Sequence, residues 1–277
     1  MHQIIRQPAV AGMFYPASES QLRNELRLML DISVMELQEE GSGKNAFGII
    51  VPHAGYVYSG ITASYAYNQI KGGDFKTVVV ICPSHREYFS GVCLYNGDAY
   101  RTPLGVIPVD KDKVNKMTYE SDIIFMGTEG HRQEHALEVQ LPFLQMVLDE
   151  FSLVPVVIGD QNKKFVFALA EKLSEIVDDK TLIVASSDLS HFHSKKEADY
   201  LDSMVERRIT EFDYQGLQED LEFHRCEACG GGPIISLMRT ADLLNKKKSV
   251  VLHRSDSGDV SGDTDEVVGY LSAMIYE

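Results

Sequence analysis

Two apolar runs with strand character end alike. Residues 47–51 lead into Pro52-His53, and residues 78–82 lead into Pro83-Ser84-His85. Short runs this apolar suit strands buried on both faces, as in parallel sheets. Two more follow at 152–158 and 181–186, with helical patterns between them. Strands alternating with helices specify an α/β unit on a mostly parallel or mixed central sheet. The repeated strand–proline–histidine pattern puts two imidazoles on the carboxyl edge of that sheet, where open α/β folds bind ligands.

The other elements are read from periodicity and caps. Ser18 is an N-cap for a helix carrying Leu22, Leu26, Leu28, Met29 and Met35, and Gly41-Ser42-Gly43 ends it. Further helices are expected at 61–70, 162–177, 197–210 and 213–222, and another from Pro233, since proline suits a first turn. A helix from His135 to Leu148 should kink at Pro142. Residues 91–109 read as short strands joined by turns, and strands at 249–254 and 267–276 close the chain as antiparallel edges. Lys246-Lys247-Lys248 reads as a solvated turn. No shift in composition marks a boundary, so residues 1–277 are taken as one domain.

Composition excludes several classes of function. No run approaches the ~18 apolar residues of a membrane span. Residues 1–15 lack a charged-then-apolar signal pattern, and four cysteines are few for 277 residues, so a cytoplasmic, reducing setting is expected. A formal net charge of −15 argues against nucleic acid, whose phosphates need a basic face.

Paired imidazoles on one rim point to a metal. Catalytic ions usually take three protein groups and keep an open position. Asp188, His191 and His193, after the 181–186 strand, are candidate third donors, as are Cys226 and Cys229. Asp188 also suits a partner that fixes a histidine tautomer, or a turn cap. Cys226-Glu227-Ala228-Cys229 is a C-x-x-C with three competing readings; one is a thioredoxin-like redox pair, which usually stands at a helix start early in a βαβ unit, whereas this one follows a polar helix late in the chain. As a zinc knuckle it lacks a second pair of ligands, with only His224 near. The third reading is a single Cys229 thiolate completing a His/His/Cys set, with Gly230-Gly231-Gly232 allowing close backbone approach. Tyr56 and Tyr58, flanked by Gly55 and Gly60, suit a turn near a ligand. His135 and Glu138 share an i, i+3 face and are candidate pocket lining, capping being the alternative.

Seven ordered motifs carry a resemblance across nearly the whole chain. They are Ala11-Gly12-Met13-Phe14-Tyr15-Pro16, Pro52-His53-Ala54-Gly55-Tyr56-Val57-Tyr58-Ser59-Gly60, Pro83-Ser84-His85, Tyr100-Arg101-Thr102-Pro103-Leu104-Gly105, Glu134-His135-Ala136-Leu137-Glu138 with Val139 to Phe143, Ser186-Ser187-Asp188-Leu189-Ser190-His191, and Cys229-Gly230. Together they resemble the Memo family. The resemblance implies a three-layer α/β/α fold like that of the class III extradiol ring-cleaving dioxygenases, which hold non-haem iron(II) with two histidines and a glutamate. By that likeness His53 and His85 match the histidine ligands, Cys229 stands where the glutamate would, His191 matches the acid/base histidine, and Asp188 neighbours it. The family is associated with iron or copper binding and redox activity, and in eukaryotes with phosphotyrosine peptides. Its microbial members look like parts of a gene set with a radical S-adenosylmethionine protein.

Thiolate in place of carboxylate softens the ligand set and favours copper or zinc over the usual iron(II) arrangement. Three functions compete on this basis. The leading one is a metal-dependent redox protein, dioxygenase-like if an enzyme, acting on a small-molecule or peptide ligand. A second is a binding module that holds a peptide or anion in the same cleft without turnover, with Arg86, Arg101 and Arg225 supplying positive charge. The third is a zinc hydrolase.

Overall fold

The computed structural model describes residues 3–36 and 45–277; the expected helix stop at Gly41-Ser42-Gly43 lies outside them. In chain order the elements begin with β1 (Ile5–Arg6), α1 (Glu19–Glu36), β2 (Ala46–Val51), α2 (Tyr56–Gln69) and β3 (Thr77–Pro83). Next come β4 (Val92–Tyr95), β5 (Ala99–Thr102), β6 (Gly105–Pro108), α3 (Lys111–Thr118), β7 (Ile124–Gly127) and α4 (Gln140–Val147). Then follow β8 (Ser152–Ile158), α5 (Lys163–Ile176), β9 (Thr181–Ser186), β10 (His191–His193), α6 (Lys195–Thr210), α7 (Tyr214–Glu222) and α8 (Gly231–Leu243). The chain closes with β11 (Lys248–Asp256), α9 (Gly258–Ser261) and β12 (Val267–Tyr276).

The four apolar runs are neighbours, as burial on both faces requires. The main sheet runs β10-β12-β2-β9-β3-β8-β4-β7, with β11 on the outer side of β12. Strands β2, β9, β3 and β8 are mutually parallel, while β12 pairs antiparallel to β2 and β4 to β8. The sheet is therefore mixed, and β11–β12 form the expected antiparallel edge. Helices α1, α2 and α4 pack together, with α2 against β2 and β12. A second group of α5, α7 and α8, joined by α6, packs with α8 against β2, β9 and β3. The result is the α/β class expected. A separate small sheet, β1-β5-β6, carries the amino-terminal arm.

Local readings differ at three places. Helix α2 starts at Tyr56, so Tyr56 and Tyr58 lie in its first turn and not in a loop. Residues 136–139 form turns, α4 begins at Gln140, and Pro142 stands in its first turn. A proline there loses no helical hydrogen bond, which is why the expected kink is absent. Leu28 and Met35 point to solvent on α1, whose buried stripe is Leu22, Leu26, Met29 and Leu30.

Close packing of α8 on the sheet depends on Gly48 in β2. A Cβ there would meet the Leu237 side chain and stand 2.8 Å from the Ile183 carbonyl oxygen. The backbone contact cannot rotate away, so Gly48→Ala should cost about 1–3 kcal/mol, the usual toll of overpacking. A shift in the urea midpoint measures it, and an unchanged midpoint would contradict this account of the layer.

Candidate metal centre

Adjacent strands bring the site together. His53 follows β2, Asp188 follows β9 and His85 follows β3, and these three strands are consecutive in the sheet. A turn before α4 adds His135. Ligand atoms of His53, His85 and His135 all lie within 4.8 Å of one another. The ring centroids are 5.1 Å apart for His53–His85, 5.5 Å for His53–His135 and 5.0 Å for His85–His135. His53 is buried, His135 partly so, and His85 is exposed, so the cluster opens to solvent at His85. Cys229, in the turn before α8, meets the cluster at His53, its Sγ 3.1 Å from Nε2.

Buried partners set the tautomers. The Ser186 hydroxyl donates to the Ala136 carbonyl (2.7 Å) and accepts from Gln140 Nε2 (2.8 Å). With its one proton spent, it can only accept from His53 Nδ1, 2.9 Å away. His53 therefore carries its proton on Nδ1 and presents the Nε2 lone pair toward Cys229. Gln140 is itself oriented by the Tyr67 hydroxyl, which donates to its Oε1 at 2.8 Å. Likewise the Glu134 carboxylate takes His85 Nδ1–H at 2.9 Å and the His85 backbone N–H at 2.6 Å, leaving His85 Nε2 free. His135 has no such partner. Its Nδ1 is buried without a hydrogen bond, 3.3 Å from Glu134 Oε1.

The charge states follow from burial and neighbours. Desolvation pushes His53 well below the usual imidazole range, reinforced by His85. Burial, with His53 beside it, takes His135 down to about 4. Burial alone would raise Glu134, but hydrogen bonding and attraction from His85 and the Ala136 N–H hold it at about 2. Burial and then the Asp188 carboxylate push the Cys229 thiol up. Near neutrality His53 and His135 are thus neutral, Cys229 is a protonated thiol and Glu134 is anionic.

Asp188 is a backbone clamp. Its Oδ1 accepts the His53 N–H at 2.7 Å and the Ala54 N–H at 3.3 Å, while Oδ2 stands 3.8 Å from His53 Nε2. Its own N–H donates to Cys229 Sγ at 3.3 Å. His191 gives Nδ1–H to the Leu189 carbonyl at 2.8 Å, which leaves its Nε2 as an acceptor. His191 and Cys229 line one cavity.

The other residues expected to line the pocket take the following places. Tyr56 is buried and donates its hydroxyl to the Val139 carbonyl at 2.7 Å; it braces the 136–139 turn. Tyr58 is exposed on α2. His193 faces Glu227, with Nε2–Oε1 at 3.0 Å, and clasps β10 to the Cys226–Cys229 turn. Glu138 is fully buried and turned away from the imidazoles, because residues 136–139 are a turn and the assumed i, i+3 helical face does not exist. It pairs with Arg6 and accepts from Ala9 N (2.7 Å), Val10 N (3.0 Å) and the Tyr15 hydroxyl (2.5 Å). That hub docks the amino-terminal arm and sets Phe14 4.8 Å from the His135 ring. Cys226 is buried, its thiol pushed up to about 12 by burial.

Glu134 and Ser186 were not picked out from the sequence, although they orient the two imidazoles. Their signal is position: Glu134 precedes His135, and Ser186 ends the strand two residues before Asp188. Another histidine outside the cluster makes a pH prediction. His131 is buried, with Nδ1 accepting from the Tyr100 hydroxyl at 2.6 Å and Nε2 donating to the Cys93 carbonyl at 3.1 Å. Burial lowers it to about 3. An unfolded histidine titrates near about 6.5, so between these values the unfolded chain binds more protons. Stability from neutral His131 is full above about 6.5 and is lost as pH falls toward about 3. Urea denaturation across that window should show the decline, and His131→Asn should make it shallower, leaving the part that buried His53 and His135 contribute.

Comparison with known proteins agrees with this architecture. The model of the Memo-like protein family matches residues 6–274. A MEMO1 family protein of Thermoplasma volcanium is 36% identical over 272 residues, covering 98% of each chain. One from Methanosarcina barkeri is 35% identical over 275 residues, covering 98% of this chain and all of its own. Among solved structures, the uncharacterized protein JW3007 of Escherichia coli K12 superposes with a TM-score of 0.56 at 15% identity, over 82% of this chain and 98% of that one, which shows a shared fold. With nearly full-length matches of this strength, the chain belongs to the Memo family.

Proposed function

We propose that His53 and His85, with Cys229 or His135 as third donor, hold an iron or copper ion, and that the protein is a metal-dependent redox protein acting on a small molecule. The observation that carries it is the convergence of three imidazoles within 4.8 Å, two of them with Nε2 lone pairs left free by fixed tautomers. His135 and the nearby Cys229 thiol complete a nitrogen-and-sulfur donor set that suits late first-row ions. Once bound, such an ion supplies one-electron chemistry and polarises a coordinated substrate atom. Asp188 and Glu134 hold the backbone N–H groups of His53 and His85 in place. Cys229 gives up its proton if it becomes a ligand, so binding then weakens as pH falls. His191 Nε2 is free to take a proton from a substrate and return it.

Elemental analysis of anaerobically purified protein tests this. Stoichiometric iron or copper is expected, and zinc alone would favour the hydrolase reading. Cys229→Ala and His135→Ala separate the third donor, since the true ligand is the one whose loss depletes the metal. Full metal content in both variants and in His85→Ala would end the proposal.

A further inference from the structure

We propose that Asp202 is a positioning residue for His191, acting through the single peptide plane between Leu189 and Ser190. The two ends of that plane meet different partners. At one end the Ser190 N–H donates to Asp202 Oδ1 at 3.0 Å. At the other the Leu189 carbonyl accepts His191 Nδ1–H at 2.8 Å. A peptide unit is planar and stiff, so fixing the direction of its N–H fixes the direction of its C=O. A carboxylate on the N–H also makes a charge-assisted bond and polarises the amide, which makes the carbonyl a better acceptor. Asp202 thus aims and strengthens the contact that keeps the proton on His191 Nδ1 and leaves Nε2 bare.

The setting of Asp202 separates it from an ordinary helix–loop contact. It stands in the middle of α6 and is 2% exposed. Aspartate ranks low in helix interiors, and a buried carboxylate without a counter-charge is costly. Among the described residues no Lys or Arg stands within ion-pair distance of it; nearby Arg254 is tied to Asp199 and Glu206. Burial pushes Asp202 up to about 6, so the carboxylate is ionised above neutrality. The neighbouring strand β12 makes room for it, since a Cβ on Gly269 would collide with the carboxylate. Gly269 also grips the same two residues, accepting the Leu189 N–H at 2.8 Å and donating to the Ser190 carbonyl at 2.9 Å. Just beyond His191 the chain passes through Phe192 at a φ of 60°. An aromatic residue stays in that left-handed region only where its surroundings enforce it. Asp202 and Gly269 supply the enforcement on the side of the imidazole.

The part of His191 in proton transfer rests on the reading above, but its tautomer is measurable whether or not that reading holds. NMR of the full chain, labelled at histidine nitrogens and stripped of metal by a chelator, reads the tautomer of each neutral imidazole at about pH 8, above the usual imidazole range. In the unaltered protein His191 should favour Nδ1–H by at least about tenfold. Asp202→Leu fills the space but cannot accept, and should lower that preference by about tenfold. Asp202→Asn keeps an acceptor oxygen and should recover most of it. His53, whose proton is set by Ser186, should keep its tautomer in both variants, which separates a local effect from a loosened fold. If Asp202→Leu fails to fold, Asp202→Ala makes the same comparison. A His191 preference unchanged by loss of the carboxylate, Asp202→Asn no better than Asp202→Leu, or an equal change at His53 would each overturn the assignment.

Discussion

Glu138→Ala should cost the folded state about 3–5 kcal/mol, the penalty for breaking a buried ion pair from one side. The Arg6 side chain is 4% exposed and that of Glu138 fully buried. Removing the carboxylate strands the guanidinium, two backbone N–H groups and the Tyr15 hydroxyl at once. Arg6 would keep only its bonds to the His131 and Glu134 carbonyls. Urea denaturation reads the loss directly. Pairing Arg6→Met with Glu138→Leu should recover only the share due to the uncompensated charge, since the Ala9 and Val10 N–H groups and the Tyr15 hydroxyl stay unpaired. A loss below about 1 kcal/mol for Glu138→Ala would mean that water or rearrangement satisfies the hub.

His53→Ala should lower metal affinity by at least about a hundredfold. Changes to groups that merely orient a ligand cost about 10–100-fold, and His53 touches every other candidate: His85, His135 and Cys229. Competition with a chelator of known strength measures the change. Ser186→Ala is the companion variant. It removes the hydroxyl that fixes the His53 tautomer, so its effect should be smaller and of the same sign. Affinity unchanged in His53→Ala would place the ion elsewhere in the molecule.

The central strands were legible because burial on both faces leaves unbroken apolar runs; 152–158 and 181–186 were read with the boundaries β8 and β9 show. The two-residue β1 and three-residue β10 carry no period to read, being set by pairing with β5 and β12. The convergence of His53 and His85 could be anticipated because sheet topology alone puts both on one edge. His135 joins the pocket as expected, whereas Glu138 does not share its face, for one reason. A helix was assumed from His135 onward, whereas Glu134 captures the His135 and Ala136 N–H groups at 2.9 Å each and makes a turn. That turn sends His135 to the imidazoles and Glu138 to the opposite side, a choice made by a tertiary contact that no local pattern records.

The position of β9 between β2 and β3 makes the sheet a gauge for the site. Neighbouring strands sit about 4.8 Å apart, so the two histidine-bearing strands are separated by about 9.6 Å, and the paired rings reach inward to 5.1 Å from opposite banks. Backbone ladders set that span, and side chains only bridge it. A residue inserted into β9 would therefore leave that span alone and slip Ser186 and Asp188 out of register, disturbing the groups that aim His53 and not the distance between the two banks.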